Sequence, residues 1–192
     1  VLVGGCDQEV APAGDASADD GGADASWDGA YDGCSGELSE VSPAAQAVLY
    51  HEDEEFWLVE AVVDGNLTYP PVDIVQLEIW PGRGGPVEPG EYVIERAGYA
   101  GCGLCVLLRR SCRPEDGIAR CERDLLADEG TVEIDELETP GGAFSASLRD
   151  VVLVETVIDW DGGTFESEPV GPEVVCLDAL DLESTVTSYP AR

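Results

Sequence analysis

The chain has no lysine and no methionine, and only one histidine and three phenylalanines in 192 residues. With lysine missing, all nine basic side chains are arginines; they face 41 aspartates and glutamates, for a formal net charge of -32. A surface so one-signed repels polyanions, so no nucleic-acid partner is expected and acidic lipid head groups are disfavoured. Cationic partners and divalent cations remain open, and the plainest account of the charge is a solvated acidic shell. The single histidine, His51, leaves a three-ligand zinc hydrolase little to draw on. Without methionine the chain is expected to have lost its initiator. Its longest apolar stretches, such as Val151–Val154, are far too short to span a bilayer. There is no G-x-S-x-G elbow, no P-loop, and no G-x-G-x-x-G after a strand. Carboxylates are so numerous that a pair at glycosidase spacing would identify nothing.

At the start stands "VLVGGCDQ". Val3-Gly4-Gly5-Cys6 resembles the lipobox of exported bacterial lipoproteins, in which small residues precede a cysteine that receives diacylglycerol. The resemblance implies that residues 1–5 are a signal-peptide remnant and that Cys6 carries the acyl chains, palmitate among the usual ones. More than one acyl chain anchors stably, so the implied partner is a membrane and the implied address the bacterial cell envelope, periplasmic or surface-facing. The alternative is a chance VGGC at a truncated end. Residues 7–33 are rich in Asp, Gly and Ala and have no usable period. Such a segment cannot bury enough apolar surface to offset its ordering, and is expected to be a disordered acidic linker reaching on the order of 30 Å.

From residue 34 onward turn signals recur: "DGN" at 64–66, "PGRGGP" at 81–86, "EPG" at 88–90, "PEDG" at 114–117, "TPGG" at 139–142 and "DGG" at 161–163. Between them the apolar residues alternate. Trp57, Val59, Ala61 and Val63 share one face, as do Val75, Leu77 and Ile79, with Gln76 and Glu78 expected to point outward. Tyr92 and Ile94, Val132 and Ile134, and Phe144, Ala146 and Leu148 repeat the pattern. Period-two patterning between Gly/Pro turns predicts antiparallel strands. The expected class is all-β, an antiparallel β-sandwich of jelly-roll or Ig-like type, over residues 34–192, or a small barrel. Loss of phase near Arg149-Asp150 predicts a β-bulge, and "AQAVLY" (45–50) reads as either a strand or a short helix. The order "GEYVI…CGLC…C…C…GTVEI…FSASLRDVVLVE…C" is similar to uncharacterised exported bacterial lipoproteins built as cysteine-containing β-sandwiches, over roughly 90–176. This implies a fold and an envelope location, and no activity.

With Cys6 set aside, six thiols remain: Cys34, Cys102, Cys105, Cys112, Cys121 and Cys176. An even number in an exported chain points to disulfides, with fifteen connectivities open. If "CVLLRRSC" and "CERDLLA" are two arms of a hairpin looped by "RPEDGIAR", Cys112 opposite Cys121 sets Leu108 against Leu125 and Val106 against Ala127, all on one face. That register favours Cys112–Cys121 and turns Cys105 to the other face with Leu107. A Cys102–Cys105 bond needs a turn, because an extended i to i+3 separation exceeds the roughly 7 Å bridging limit, and "GYAGCGLC" can supply one. Cys34–Cys176 would then tie the ends of the domain. A zinc site of Cys102, Cys105, Cys112 and Cys121 competes, as does a thioredoxin-like use of Cys102 and Cys105.

Two further constellations carry chemistry. His51 with Glu52, Asp53, Glu54 and Glu55 is either a metal or base cluster or a solvated hairpin tip. In "IDWDGGTFESE" (158–168) the pair Asp159 and Asp161 opens like a calcium loop, and Trp160 between them suits stacking on a sugar ring; the alternative is a tight hairpin whose Trp packs across the strands. The expected function is therefore a lipid-anchored, non-enzymatic binding or interaction module with a protein, glycan or divalent-cation partner. A calcium- or carbohydrate-binding module is the first alternative, with calcium the one cofactor in view. An envelope hydrolase using His51 or a thiol oxidoreductase using Cys102 and Cys105 is the second.

Overall fold

A computed structural model describes Cys34 and residues 36–38, 45–51, 54–66, 69–115, 118–159 and 165–189, all within the unit Tyr31–Arg192. The lipobox and Cys6, the 7–33 linker, Trp160 and Asp161 lie outside the described residues.

The described chain is all-β: β1 (Gly36–Leu38), β2 (Ala45–His51), β3 (Glu55–Asn66), β4 (Tyr69–Ile79), β5 (Gly90–Ile94), β6 (Leu104–Glu115), β7 (Ile118–Arg120), β8 (Arg123–Leu137), β9 (Ala143–Ile158) and β10 (Ser167–Tyr189). The ambiguous segment 45–50 is thus a strand. Short 3-10 turns at Pro81–Arg83 and Tyr99–Gly101 are the only helical pieces among the described residues. The strands do not divide into two separate sheets. Neighbours run β8-β9-β10-β2-β3-β4-β6, and an additional β6–β8 pairing joins the last to the first, so seven strands close into a ring. Closure leaves those seven strands with few free edges.

The expectation of a wholly antiparallel arrangement is corrected by two parallel pairs, β10 with β1 and β10 with β2. Both join the beginning of the domain to its end. A parallel pair has no tight turn between its members, so nothing in the local sequence marks it.

Inside the ring the alternating apolar faces meet in one core. Leu49, Val59, Leu77, Leu108, Leu125, Leu148, Leu153 and Leu182 all belong to it and are almost fully buried. The predicted irregularity near 149–150 is present. Leu148 and Val151 both face the core, Asp150 between them takes φ +50°, and the β8–β9 register shifts beside it around Glu129 and Thr131. Gly130 holds the bulge on the facing strand at φ +138°, where a Cβ would lie 2.8 Å from the Val151 Cα. Such bulges bend long strands, which a ring with strands of 15, 16 and 23 residues requires.

The three disulfides join Cys34 to Cys176, Cys102 to Cys105, and Cys112 to Cys121, with Cα separations of 5.5, 5.6 and 3.9 Å. Leu108 does pair with Leu125. The hairpin runs further than expected, through Arg113↔Arg120 to Glu115↔Ile118. Cys112 does not share the face of Val106 and Leu108. Ser111 at φ +56° flips the phase, and Cys112 packs with Val72 and Ile74 in a separate small cluster.

Candidate functional site

The alternation of β4 places Gln76 and Glu78 on the side away from Val75, Leu77 and Ile79, as expected, but they are not solvated. Gln76 is 5% and Glu78 3% exposed. The segment after β5 folds back over this outer face. Tyr99, Cys102, Cys105, Leu107, Leu126 and Ile158 form a second apolar cluster there, with Trp80 and Phe165 packed against it. Tyr99 is fixed at both ends: its backbone N–H donates to the Ser167 Oγ at 2.7 Å, and its hydroxyl donates to the Glu78 Oε2 at 2.8 Å.

A buried carboxylate requires donors, since its desolvation is otherwise costly. Glu78 accepts from the Tyr99 hydroxyl, from the Trp80 indole N–H at 2.8 Å, and from the Gln76 amide. The other end of Gln76 accepts from the Arg109 guanidinium at 3.4 Å, and Arg109 pairs with Asp124 at 3.0 Å. Burial, reinforced by the neighbouring Glu78 carboxylate and its hydrogen bond, pushes the Tyr99 phenol far above its ordinary range. Glu60 lies opposite Gln76 on β3; burial raises its carboxyl, the charge of Glu78 adds to the rise, and Arg109 opposes it. The network ties β3, β4, β6 and β8 to the covering segment, and it is a structural brace rather than an open reaction centre.

Two loops meet above this brace. The Trp80 N–H donates to the Gly103 carbonyl at 2.8 Å, and the Gly85 N–H to the Trp80 carbonyl at 3.0 Å. At Gly85 a Cβ would sit 2.0 Å from the Gly103 oxygen, and at Gly103 one would sit 2.5 Å from the Gly85 nitrogen, so neither position has room for a side chain. These glycines of "PGRGGP" and "CGLC" hold backbone against backbone. Beside them, between the paired loops and β5, opens a groove of about 250 Å³ lined by Arg83, Pro86, Tyr92, Val93, Glu95 and the 101–104 backbone. Arg83, which lines the groove, also ends a stacked row: Tyr50 on Phe56 at 4.9 Å, Phe56 on Trp80 at 3.9 Å, and the Arg83 guanidinium over Trp80 at 3.9 Å. With Tyr189 tilted against Tyr50 at 5.2 Å, the ring faces are taken up by their neighbours, leaving edges rather than a flat platform for a sugar.

Cys102, Cys105, Cys112 and Cys121 are consumed in two disulfides that sit in different clusters, which corrects the four-thiolate zinc alternative. Cys102 is 7% and Cys105 1% exposed, and Cys105 lies within β6 rather than at the start of a helix whose dipole would lower a thiol pKa. The His51 backbone pairs with Glu55 at the end of β2, while Glu52 and Asp53 lie outside the described residues. Asp159 is exposed, and its N–H donates to the Glu166 carbonyl at 2.9 Å across the β9–β10 turn. Among the described residues no group of three His, Cys, Asp or Glu is placed to hold a metal ion. Sequence reasoning missed the Glu78 brace and the groove. The glycines at 85 and 103 were the signal for the loop contact, but they read as ordinary turn formers. No protein-family model, no curated protein and no solved structure matches the chain.

Proposed function

We propose that this chain is a lipid-anchored cell-envelope protein whose disulfide-braced β domain binds a partner and carries out no catalysis. The observation that carries this reading is that all six cysteines from Cys34 to Cys176 are bonded in pairs. Complete pairing belongs to compartments where thiols oxidise, and it agrees with the lipobox likeness around Cys6. The partner is neither nucleic acid nor another polyanion. Each of the eight described arginines has a carboxylate within 4 Å, so the acidic excess meets little free positive charge among the described residues. The binding region is the end of the ring where the groove, the stacked rings and the disulfide loop converge.

Expression of the full reading frame with Cys6→Ser tests the anchor. Loss of the acyl chains is expected to move the protein from the membrane pellet to the soluble fraction. A protein that stays soluble with Cys6 intact contradicts it.

A further inference from the structure

β5 is bonded along one side only. All five of its residues, Gly90 to Ile94, pair with β8 at Ile134 to Gly130, and no backbone bond joins it to another strand among the described residues. β6 occupies the same side of β8 lower down, from Leu107↔Leu126 to Arg110↔Arg123. Between these two stretches β8 bends through its bulges at 127–131, so β5 and the start of β6 part company, and the groove lies where they separate. The far side of β5 is therefore a row of main-chain donors and acceptors about 17 Å long, facing a groove instead of a strand.

An open edge ordinarily invites pairing and is ordinarily blunted by proline, a bulge or an inward charge. None of these lies within Gly90-Glu91-Tyr92-Val93-Ile94, and the β5–β8 register is unbroken. Val93 on this strand and Val87 just before it are 70% and 71% exposed, the two most exposed large apolar side chains described. The charge around them has one sign. Glu88, Glu91 and Glu95 are exposed along the strand, while the nearest cations are engaged, Arg96 with Asp128 and Arg83 with Glu54. A second copy of this chain, at net charge -32, is repelled from such an edge.

We infer that the free edge of β5 is a strand-addition site for an extended, basic segment of a partner protein, with arginine or lysine alternating with small aliphatic residues. Main-chain bonds to β5 supply register; on the exposed face shared by Glu91, Val93 and Glu95 the basic side chains meet the carboxylates and lay their aliphatic stems over Val93, and the alternate small aliphatic ones turn to the face of Tyr92. The inference deepens the binding-module reading by naming the place and the partner's chemistry. It needs neither the anchor at Cys6 nor an envelope location, so each fails separately.

The test is amide hydrogen exchange on the intact protein with a capped Arg-Val-Arg-Val-Arg-Val-Arg peptide as probe and its Glu-Val counterpart as control. The expected result is slowed exchange confined to 90–94 and 101–106 with the basic peptide and none with the acidic one. Val93→Arg, at an exposed position that should leave folding intact, is expected to weaken binding by about tenfold or more. Binding that leaves 90–94 exchanging as before would mean diffuse attraction to an acidic surface and would overturn the assignment. So would undiminished affinity in Val93→Arg, or concentration-dependent protection of β5 without any peptide, which would make a second copy the occupant.

Discussion

The hydroxyl of Tyr99 donates to the Oε2 of Glu78 at 2.8 Å, and the two residues are only 4% and 3% exposed. Tyr99 belongs to the segment that covers the outer face of the ring, and Glu78 to the ring itself, so this bond fastens one to the other. Tyr99→Phe keeps the ring in place and removes only the donor, leaving a buried carboxylate one hydrogen bond short. The expected cost is about 1–3 kcal/mol in urea unfolding. A loss within error of zero would show that Glu78 does not need this donor.

The same bond makes the phenol hard to ionise. The folded-state value of Tyr99 lies above its ordinary 10.0, so the folded protein holds this proton more tightly than the unfolded chain does. Its contribution to stability is whole below about pH 10 and is lost as pH rises beyond it. Absorbance at 295 nm should show one tyrosine ionising only as the protein unfolds in alkali. In Tyr99→Phe that late fraction should disappear.

Glu60 gives a pH signature of the same sign at lower pH. Its carboxyl is raised above 4.5 by burial and by the Glu78 charge, so folding favours the protonated form, and its stabilising share is lost as pH climbs above 4.5. Glu60→Gln mimics the protonated side chain. The variant should melt at a higher temperature than the parent at pH 7 and at the same temperature at pH 3.5, where both states of the parent are protonated. A lower melting temperature at pH 7 would mean that the ion attraction of Arg109 outweighs burial.

Much of the strand layout is readable from alternation alone. Trp57, Val59 and Ala61, or Phe144, Ala146 and Leu148, point inward because a pleated strand that buries one face must write it at every second position. The Cys112–Cys121 register is readable for the same reason, since it leaves Leu108 opposite Leu125. What escapes is whatever depends on distant chain. Gln76 and Glu78 look like solvated residues in sequence, because a polar residue on an outer face carries no mark of being covered by Tyr99. The parallel joins of β1 and β2 to β10 leave no turn signature. Ser111 takes a left-handed conformation without the glycine that usually announces one, so the flip that moves Cys112 off the core face is not foreseeable. The openness of β5 is likewise a consequence of where β8 bends. Of the candidate site only the "CGLC" and "PGRGGP" loops stand out beforehand.

Those two loops supply the next expectation. Gly85→Ala places a methyl 2.0 Å from the Gly103 carbonyl oxygen, and backbone cannot yield as a flexible side chain does. Overpacking of this kind costs about 1–3 kcal/mol. It should also loosen the Trp80–Gly103 hydrogen bond, read as faster amide exchange at Trp80. Gly82→Ala, where nothing lies within 4 Å, is the neighbouring control and should leave exchange at Trp80 unchanged.

Cys34–Cys176 closes a span of 142 residues and ties β10 to Cys34, two residues before β1. In the chain-entropy description a loop of that length is worth about 5 kcal/mol, with strain able to reduce it. The double replacement Cys34→Ser with Cys176→Ser should lower stability by about 2–5 kcal/mol in denaturant unfolding, more than removal of Cys102–Cys105, which closes a span of three. The reverse order would show that local fixation of the "CGLC" turn, not closure of the whole domain, dominates.

One measurement addresses oxidation and export together: peptide mapping by mass spectrometry of protein made in its native cell, alkylated without reduction. The predicted result is two linked peptide pairs, Cys34 with Cys176 and Cys112 with Cys121, one peptide with an internal bond between Cys102 and Cys105, and an N-terminal peptide carrying acyl mass on Cys6. Six alkylated thiols and an unmodified Cys6 would contradict it.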